Sequence, residues 1–165
     1  MAVVVYNVLM LRGLPPISAK DAQILILGSM PSVKSLKMQQ YYAHPQNAFW
    51  KIMTRILGEA RSYREKAECL KKHKIALWDI VRSCQRKGSL DTAIRNEKYN
   101  ALEHFLKRHP KIKRVLLNGG AAQSFYLAYA QGKINLPHTR LPSTSPANTM
   151  SFELKLKAWK KALAD

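Results

Sequence analysis

Gln23-Ile24-Leu25-Ile26-Leu27-Gly28-Ser29-Met30-Pro31-Ser32 decides the architecture, because a short apolar run passes directly into a turn that cannot continue it. Gln23–Leu27 is too brief for a stable helix. Bounded by Gly and Ser, it suits a strand covered on both faces. Pro31 restricts the path that follows, and the small Gly28, Ser29 and Ser32 would let a ligand approach the backbone closely. An ordinary strand-to-loop turn has the same composition. The Gly-Lys-Ser/Thr ending of a P-loop is absent, and so is a dinucleotide fingerprint.

Outward from this run, Ile75–Asp79, Arg114–Leu117 and, more weakly, Thr139–Leu141 repeat the pattern. Helical patterns lie between them. Asn47 can cap a helix running to about Leu57, with Phe49, Trp50, Met53, Ile56 and Leu57 on one apolar face. Further helices are expected over Tyr63–Lys72, Lys98–Arg108, Gly120–Ala130 and Ser151–Ala164. In the last, Phe152, Leu156, Trp159 and Leu163 recur at helical spacing and read as core contacts. Strands alternating with helices predict an α/β fold on a mostly parallel sheet of four strands covered on both faces. Ligands in such sheets sit beyond the carboxyl ends of the strands, where every unusual stretch of this chain falls. No repeat or linker interrupts it, so residues 1–165 are expected to form one domain, with 1–13 as an N-terminal strand or docking segment.

Lys and Arg number 28 against 10 Asp and Glu, a formal charge of +18. An acidic polymer or surface is the natural partner, and nucleic acid is the commonest. Acids are absent between Ala22 and Gly58 and between His104 and Phe152, together more than half the chain. A phosphate backbone favours such surface, although buried core lacks acids too. Cys69 and Cys84 are too few and too far apart for a zinc or iron–sulfur site, so no metal or cofactor is expected. The opening MAVVVYNVLMLRG lacks a basic leader and a cleavage site and is too short to cross a bilayer. A cytoplasmic, monomeric protein without a membrane partner is expected.

Three more loops carry chemistry. Gln40–Trp50 crowds Tyr41, Tyr42, His44 and Asn47 into a turn that enters a helix. An aromatic face can support a flipped base, and amide or imidazole groups can read its edge. Asn47 serves equally well as a helix cap, and His44 before Pro45 as a structural loop residue. Leu117-Asn118-Gly119-Gly120 opens a helix whose free N–H groups can receive a phosphate or a carbonyl. Leu141-Pro142-Ser143-Thr144-Ser145-Pro146-Ala147-Asn148 resists both helix and strand, and its hydroxyls and N–H groups suit DNA phosphates. A plain surface loop is the alternative.

Taken in order, Gly28-Ser29-Met30-Pro31, Tyr41–Trp50 and Leu141–Asn148 resemble the uracil-DNA glycosylase superfamily, specifically its hypoxanthine-DNA glycosylase branch. The HPxNxFW run also resembles the mismatch-specific uracil glycosylases. The resemblance extends from about Leu14 to the end. It implies a three-layer α/β/α sandwich with the loops gathered on one sheet edge, and an enzyme that excises a deaminated base, hypoxanthine or uracil, from DNA. Met30 occupies the slot in which many relatives carry a water-positioning Asp or Asn, and the resemblance passes that duty to Asn47. It places Tyr42 against the extruded base, with Ser29, Met30, His44, Asp79 and Asn118 around its edges. Asp79 can also be read as a cap after a strand. Ser32 and the run Ser143, Thr144, Ser145, Pro146, Ala147 and Asn148 would contact the DNA. A DNA-binding relative that has lost the reaction, which Met30 favours, and a hydrolase of free nucleosides, which the positive charge disfavours, are the competing readings.

Overall fold

The computed structural model describes residues 8–165. Residues 1–7 of the expected docking segment lie outside the described residues. In chain order the elements are β1 (Met10–Arg12), β2 (Ile24–Gly28), α1 (Val33–Met38), α2 (Phe49–Leu57), α3 (Tyr63–Lys72), β3 (Ile75–Asp79) and β4 (Val81–Gln85). A 3-10 turn at Asp91–Ala93 follows, then β5 (Arg95–Tyr99), α4 (Leu102–Arg108), β6 (Arg114–Asn118), α5 (Gly120–Ala130), β7 (His138–Leu141) and α6 (Phe152–Ala164).

The central sheet has the order β3-β2-β6-β7, all parallel, with Leu25 opposite Ala76 on one side and Val115 on the other. Side chains alternate across a strand, so neighbours in sequence serve opposite layers. Leu25, Leu27, Ala76, Val115 and Leu117 face Leu102, Phe105, Tyr126 and Ala130 of α4 and α5. Ile26, Ile75, Leu77 and Leu116 face Phe49, Ile52 and Met53 of α2, Leu70 of α3 and Trp159 of α6. Helices therefore cover both faces, and the four strands end together at Gly28, Asp79, Asn118 and Leu141. The loops that follow those ends meet on one edge.

A second sheet, β1-β4-β5, is antiparallel and was not anticipated. It corrects the expected helix over Lys98–Arg108. Arg95–Tyr99 pairs with β4 instead, and the helix begins only at Leu102. Backbone pairing at a solvent-facing edge overrides a polar sequence whose side chains show no apolar alternation. Asn100 marks the change: buried, it donates from its side chain to the Asp79 carbonyl (2.6 Å) and from its backbone to the Ile80 carbonyl. This hairpin fastens a new segment, Arg86–Asp91, beside the loop that follows β2.

α1 likewise has no counterpart among the expected helices. Ser32 caps it by accepting the Ser35 N–H (3.1 Å), which satisfies one of the free donors of a helix start. The expected cap at Asn47 lies one residue earlier than the observed N-cap, Ala48, yet its Oδ1 accepts the Phe49 N–H at 3.0 Å.

Candidate active site

Beyond the ends of β2, β3, β6 and β7 lies an open cavity of about 560 Å³. Every side chain assigned to the site from the sequence lines it except Asn148, whose Nδ2 instead donates to the Ser143 carbonyl. Asp79 ends β3, faces the cavity, and is only 4% exposed. Its Oδ2 has no hydrogen-bond partner among the described residues. Burial, then the nearby Asp91 charge, raises its pKa from 3.8 to about 7, against a smaller lowering by Arg86. Gly28 makes room for it. A Cβ at position 28 would overlap Asp79 Oδ1 and lie 2.9 Å from the Tyr42 hydroxyl.

Tyr42 sits in the left-handed region, φ +52°, which an L-residue occupies at a cost. Its ring stacks on Phe49 with centroids 4.2 Å apart. Its hydroxyl accepts from Asn118 Nδ2 at 3.1 Å. Tyr41, next in the chain, points elsewhere: its hydroxyl donates toward the Leu14 and Pro15 carbonyls inside the core. Asn118 uses its amide fully as a donor, since Nδ2 also reaches Thr144 Oγ1 (2.9 Å), while its Oδ1 accepts the Thr144 N–H (3.0 Å). Thr144 is thereby buried and its polar atoms are occupied within the protein, with its carbonyl accepting from Ala48 N–H. Met30 packs into the core between sheet and second sheet, although it touches the cavity. Asn47 borders the cavity, and among the described residues its Nδ2 makes no hydrogen bond and its Oδ1 only the one to the Phe49 N–H. His44 is exposed, and its Nδ1 accepts the Gln46 N–H.

A family model described as the uracil DNA glycosylase superfamily matches residues 15–165. This chain belongs to that superfamily. A hypoxanthine DNA glycosylase from Methanosarcina barkeri is 35% identical over 92% of this chain and 96% of the relative. Another from Methanosarcina acetivorans is 34% identical over 90% and 94%. The solution NMR structure of a Methanosarcina acetivorans protein, described as a uracil DNA glycosylase, superposes with a TM-score of 0.79 at 32% identity. It covers 95% of this chain and all of that one. The three-layer α/β/α sandwich read from the loops is the fold of this glycosylase superfamily.

Within this superfamily frame the structure adds groups that the sequence reading passed over. Arg86 is buried and donates from Nε to the Gly88 carbonyl (2.9 Å) and from Nη2 to the Pro31 carbonyl. Ser89 Oγ accepts the Val33 N–H (3.0 Å), and Asp91 Oδ1 accepts from Ser29 Oγ (2.6 Å). Three contacts thus bind Arg86–Asp91 to the loop after β2 and the first residue of α1. Ser89, Leu90 and Asp91 become one rim of the cavity. No sequence pattern signals them, because pairing across the second sheet creates the proximity. Lys155 did carry a signal, a lone cation on the apolar stripe of α6. It is 5% exposed, and its ammonium holds the Ser145 (3.2 Å) and Asn148 (2.9 Å) carbonyls. Ser143 Oγ accepts the Ser145 N–H, and Ser145 Oγ the Ala147 N–H, so the loop is braced from within as well. Among the described residues no group of three metal-ligating side chains occurs, and no helix is long and apolar enough to cross a membrane.

Proposed function

We propose that the protein is a monofunctional DNA glycosylase of base-excision repair that hydrolyses the N-glycosidic bond of deaminated bases, hypoxanthine in deoxyinosine first, and leaves an abasic site. The observation that carries this reading is the cavity itself. It sets a buried Asp79 carboxyl, one oxygen of which has no partner among the described residues, and an aromatic shelf, Tyr42 on Phe49, between two DNA-suited loops of a +18 chain. The names borne by the Methanosarcina relatives support hypoxanthine as the substrate.

Bending of the duplex swings the damaged nucleotide out of the stack and into the cavity. Tyr42 supports one face of the base. Asp79 meets its hydrogen-bonding edge, with Ser29, the backbone at Met30, and His44 around it. Asn118 serves by holding Tyr42 and Thr144 in place and offers the base one free oxygen lone pair. Cleavage puts positive charge on the sugar and negative charge on the base, and the fixed dipoles about the base stabilise that separation. Asn47 orients the attacking water. Its bond to the Phe49 N–H fixes the amide, so the helix-cap and water-orienting roles act together. An amide is a poor base, and its part is positioning. Ser32, Ser143, Ser145, Pro146 and Ala147 face the backbone of the DNA. Thr144 and Asn148 shape that loop from behind. The enzyme works as a monomer.

Single-turnover assays on duplexes carrying one deoxyinosine or one deoxyuridine, with EDTA present, test the reading. Alkali-labile abasic sites should form at inosine without added metal. Cleavage of uracil alone would assign the protein to the uracil-excising branch. Inertness on both, with tight DNA binding retained, would make it a binding protein that keeps the fold.

A further inference from the structure

Asp79 has the surroundings of a neutral acid. Among the described residues no ion pair reaches it, one oxygen is unpartnered, and it is enclosed by Gly28 and Tyr42. A buried carboxylate without a counter-ion takes up a proton rather than bear the desolvation penalty. The groups around it do not reverse this. Arg86 keeps its charge and a buried Nη1 that is unpartnered among the described residues, but it makes no ion pair with Asp79. Its Nε and Nη2 are aimed at the Gly88 and Pro31 carbonyls, and its pull on the Asp79 proton is weaker than the opposing effects of burial and Asp91. The Tyr41 and Tyr42 hydroxyls are themselves pushed up by burial and stay protonated. Lys34 and Lys37 on α1 and His44 line the same cavity but are exposed to solvent. Against the two lysines stands Asp91, the other acid lining the cavity, fixed at its rim by the Ser29 hydroxyl.

We propose that Asp79 meets the flipped base as a neutral carboxylic acid, its O–H donating to the base carbonyl and its C=O accepting from the adjacent ring N–H. Asp91, held on Ser29, is the positioning residue that keeps the proton there. The inference rests on the glycosylase reading for its substrate and on the cavity alone for its chemistry. Hypoxanthine offers N1–H beside C6=O, and uracil offers N3–H beside C4=O, so one carboxyl group closes two hydrogen bonds with either. An ionised carboxylate could satisfy only the N–H and would face the carbonyl with like charge. As the glycosidic bond breaks, negative charge spreads onto the base carbonyl. The O–H bond to it then strengthens in the transition state without any proton having to leave Asp79. The two bases share this edge, so Asp79 does not rank them.

The ionisation of Asp79 can be followed without substrate, by 13C NMR of labelled Asp carboxyls, assigned with Asp79→Asn. In the free protein the Asp79 carboxyl should titrate near neutrality, and in Asp91→Asn at lower pH, by about half a unit or more. Single-turnover rates on deoxyinosine duplex should fall as pH rises through the same range. Asp79→Asn supplies a permanent donor and acceptor in the same shape. It should keep the rate within about ten-fold and abolish that fall, while Asp79→Ala loses on the order of a hundred-fold. A carboxyl that titrates in the ordinary Asp range would overturn the proposal even if no base is ever excised. So would a wild-type rate that rises with pH while Asp79→Asn is inert. An unshifted titration in correctly folded Asp91→Asn would remove Asp91 from it. Failure to release either base, with the NMR titration as expected, would count against the substrate and leave the carboxyl's state established.

Discussion

In the proposed reading Asn47, Tyr42 and Asp79 each do two jobs, and their substitutions separate the jobs. Asn47→Ala removes both the bond to the Phe49 N–H and the amide proposed to orient water. It should cost roughly 1 kcal/mol of stability and most of the single-turnover rate, with DNA affinity kept. Asn47→Asp retains an acceptor at a helix start and should melt at or above the wild-type temperature. Its turnover then reports the amide alone. If Asn47→Ala turns over normally once folded, the residue is only a cap. Tyr42→Ala should weaken capture of the extruded base by roughly 1–3 kcal/mol, read by 2-aminopurine fluorescence beside the inosine. Tyr42→Phe keeps the ring but leaves Asn118 Nδ2 short of an acceptor, so a smaller loss is expected. Tyr41→Ala should lower stability first, since its hydroxyl and ring serve the core. Asp79 binds its proton more tightly in the folded state, with a pKa raised from 3.8 to about 7. The folded state is therefore favoured fully at acid pH and loses stability as pH climbs through that interval. Asp79→Asn should melt higher than wild type at pH 8, by an amount worth on the order of a few kcal/mol, and the gain should shrink toward pH 4. A gain independent of pH would contradict the raised pKa.

At the scale of elements, strands that are buried on both faces were legible and strands that are not were hidden. Leu25–Leu27, Ile75–Leu77 and Val115–Leu117 must be apolar throughout because both layers of helices press on them. Arg95–Tyr99 is held by backbone pairing to β4 and shows mostly polar side chains, so nothing in its composition separates it from a helix start. The same contrast divides the site. Tyr42, Asn47 and the Ser143–Asn148 loop are readable as local clusters, whereas Asp91 reaches the cavity, and Arg86 the Pro31 carbonyl behind its wall, only through the second sheet. Gly119 and Lys155 show how β6 and α6 shape the Ser143–Asn148 loop. Gly119 has φ +93°, and a Cβ there would press on Ser143 Cβ at 2.8 Å. The Lys155 ammonium, whose pKa burial pushes down, ties two of the loop's carbonyls. Lys155→Met removes those two bonds and the desolvation they offset, so stability should change by no more than about 2 kcal/mol. The loop should lose its set shape, and affinity for abasic-site duplex should drop on the order of ten-fold. Unchanged affinity in a well-folded Lys155→Met would show that Ser145 and Asn148 hold their geometry without it.

At the scale of the whole molecule, charge and cavity share one edge. The acid-free stretches from Ala22 to Gly58 and from His104 to Phe152 contain β2, α1, α2, β6, α5, β7 and every loop that walls the site except the Ser89–Asp91 rim. Part of each is core, but Lys34 and Lys37 on α1 stand exposed on the cavity rim, and Lys51 and Arg55 of α2 line a groove whose other wall includes Phe152. A duplex lying over the opening would exchange condensed counterions for these cations. Each phosphate neutralised adds close to one unit to the slope of log affinity against log salt. With a net +18 behind the site, a protein making about 6–10 such contacts should lose on the order of 10³–10⁵ in affinity between about 50 and 200 mM salt. Lys37→Gln is the sharper test, because Lys37 makes no hydrogen bond or ion pair with another side chain among the described residues, and its loss should leave the fold intact. It should reduce the salt slope by about one and weaken undamaged and inosine-containing duplex equally. The rate at saturating enzyme should not change, since a phosphate contact positions the duplex and does not act on the breaking bond. A slope that stays at its wild-type value would place Lys37 off the DNA track, and the duplex would then have to cross the cavity along the α2 groove instead.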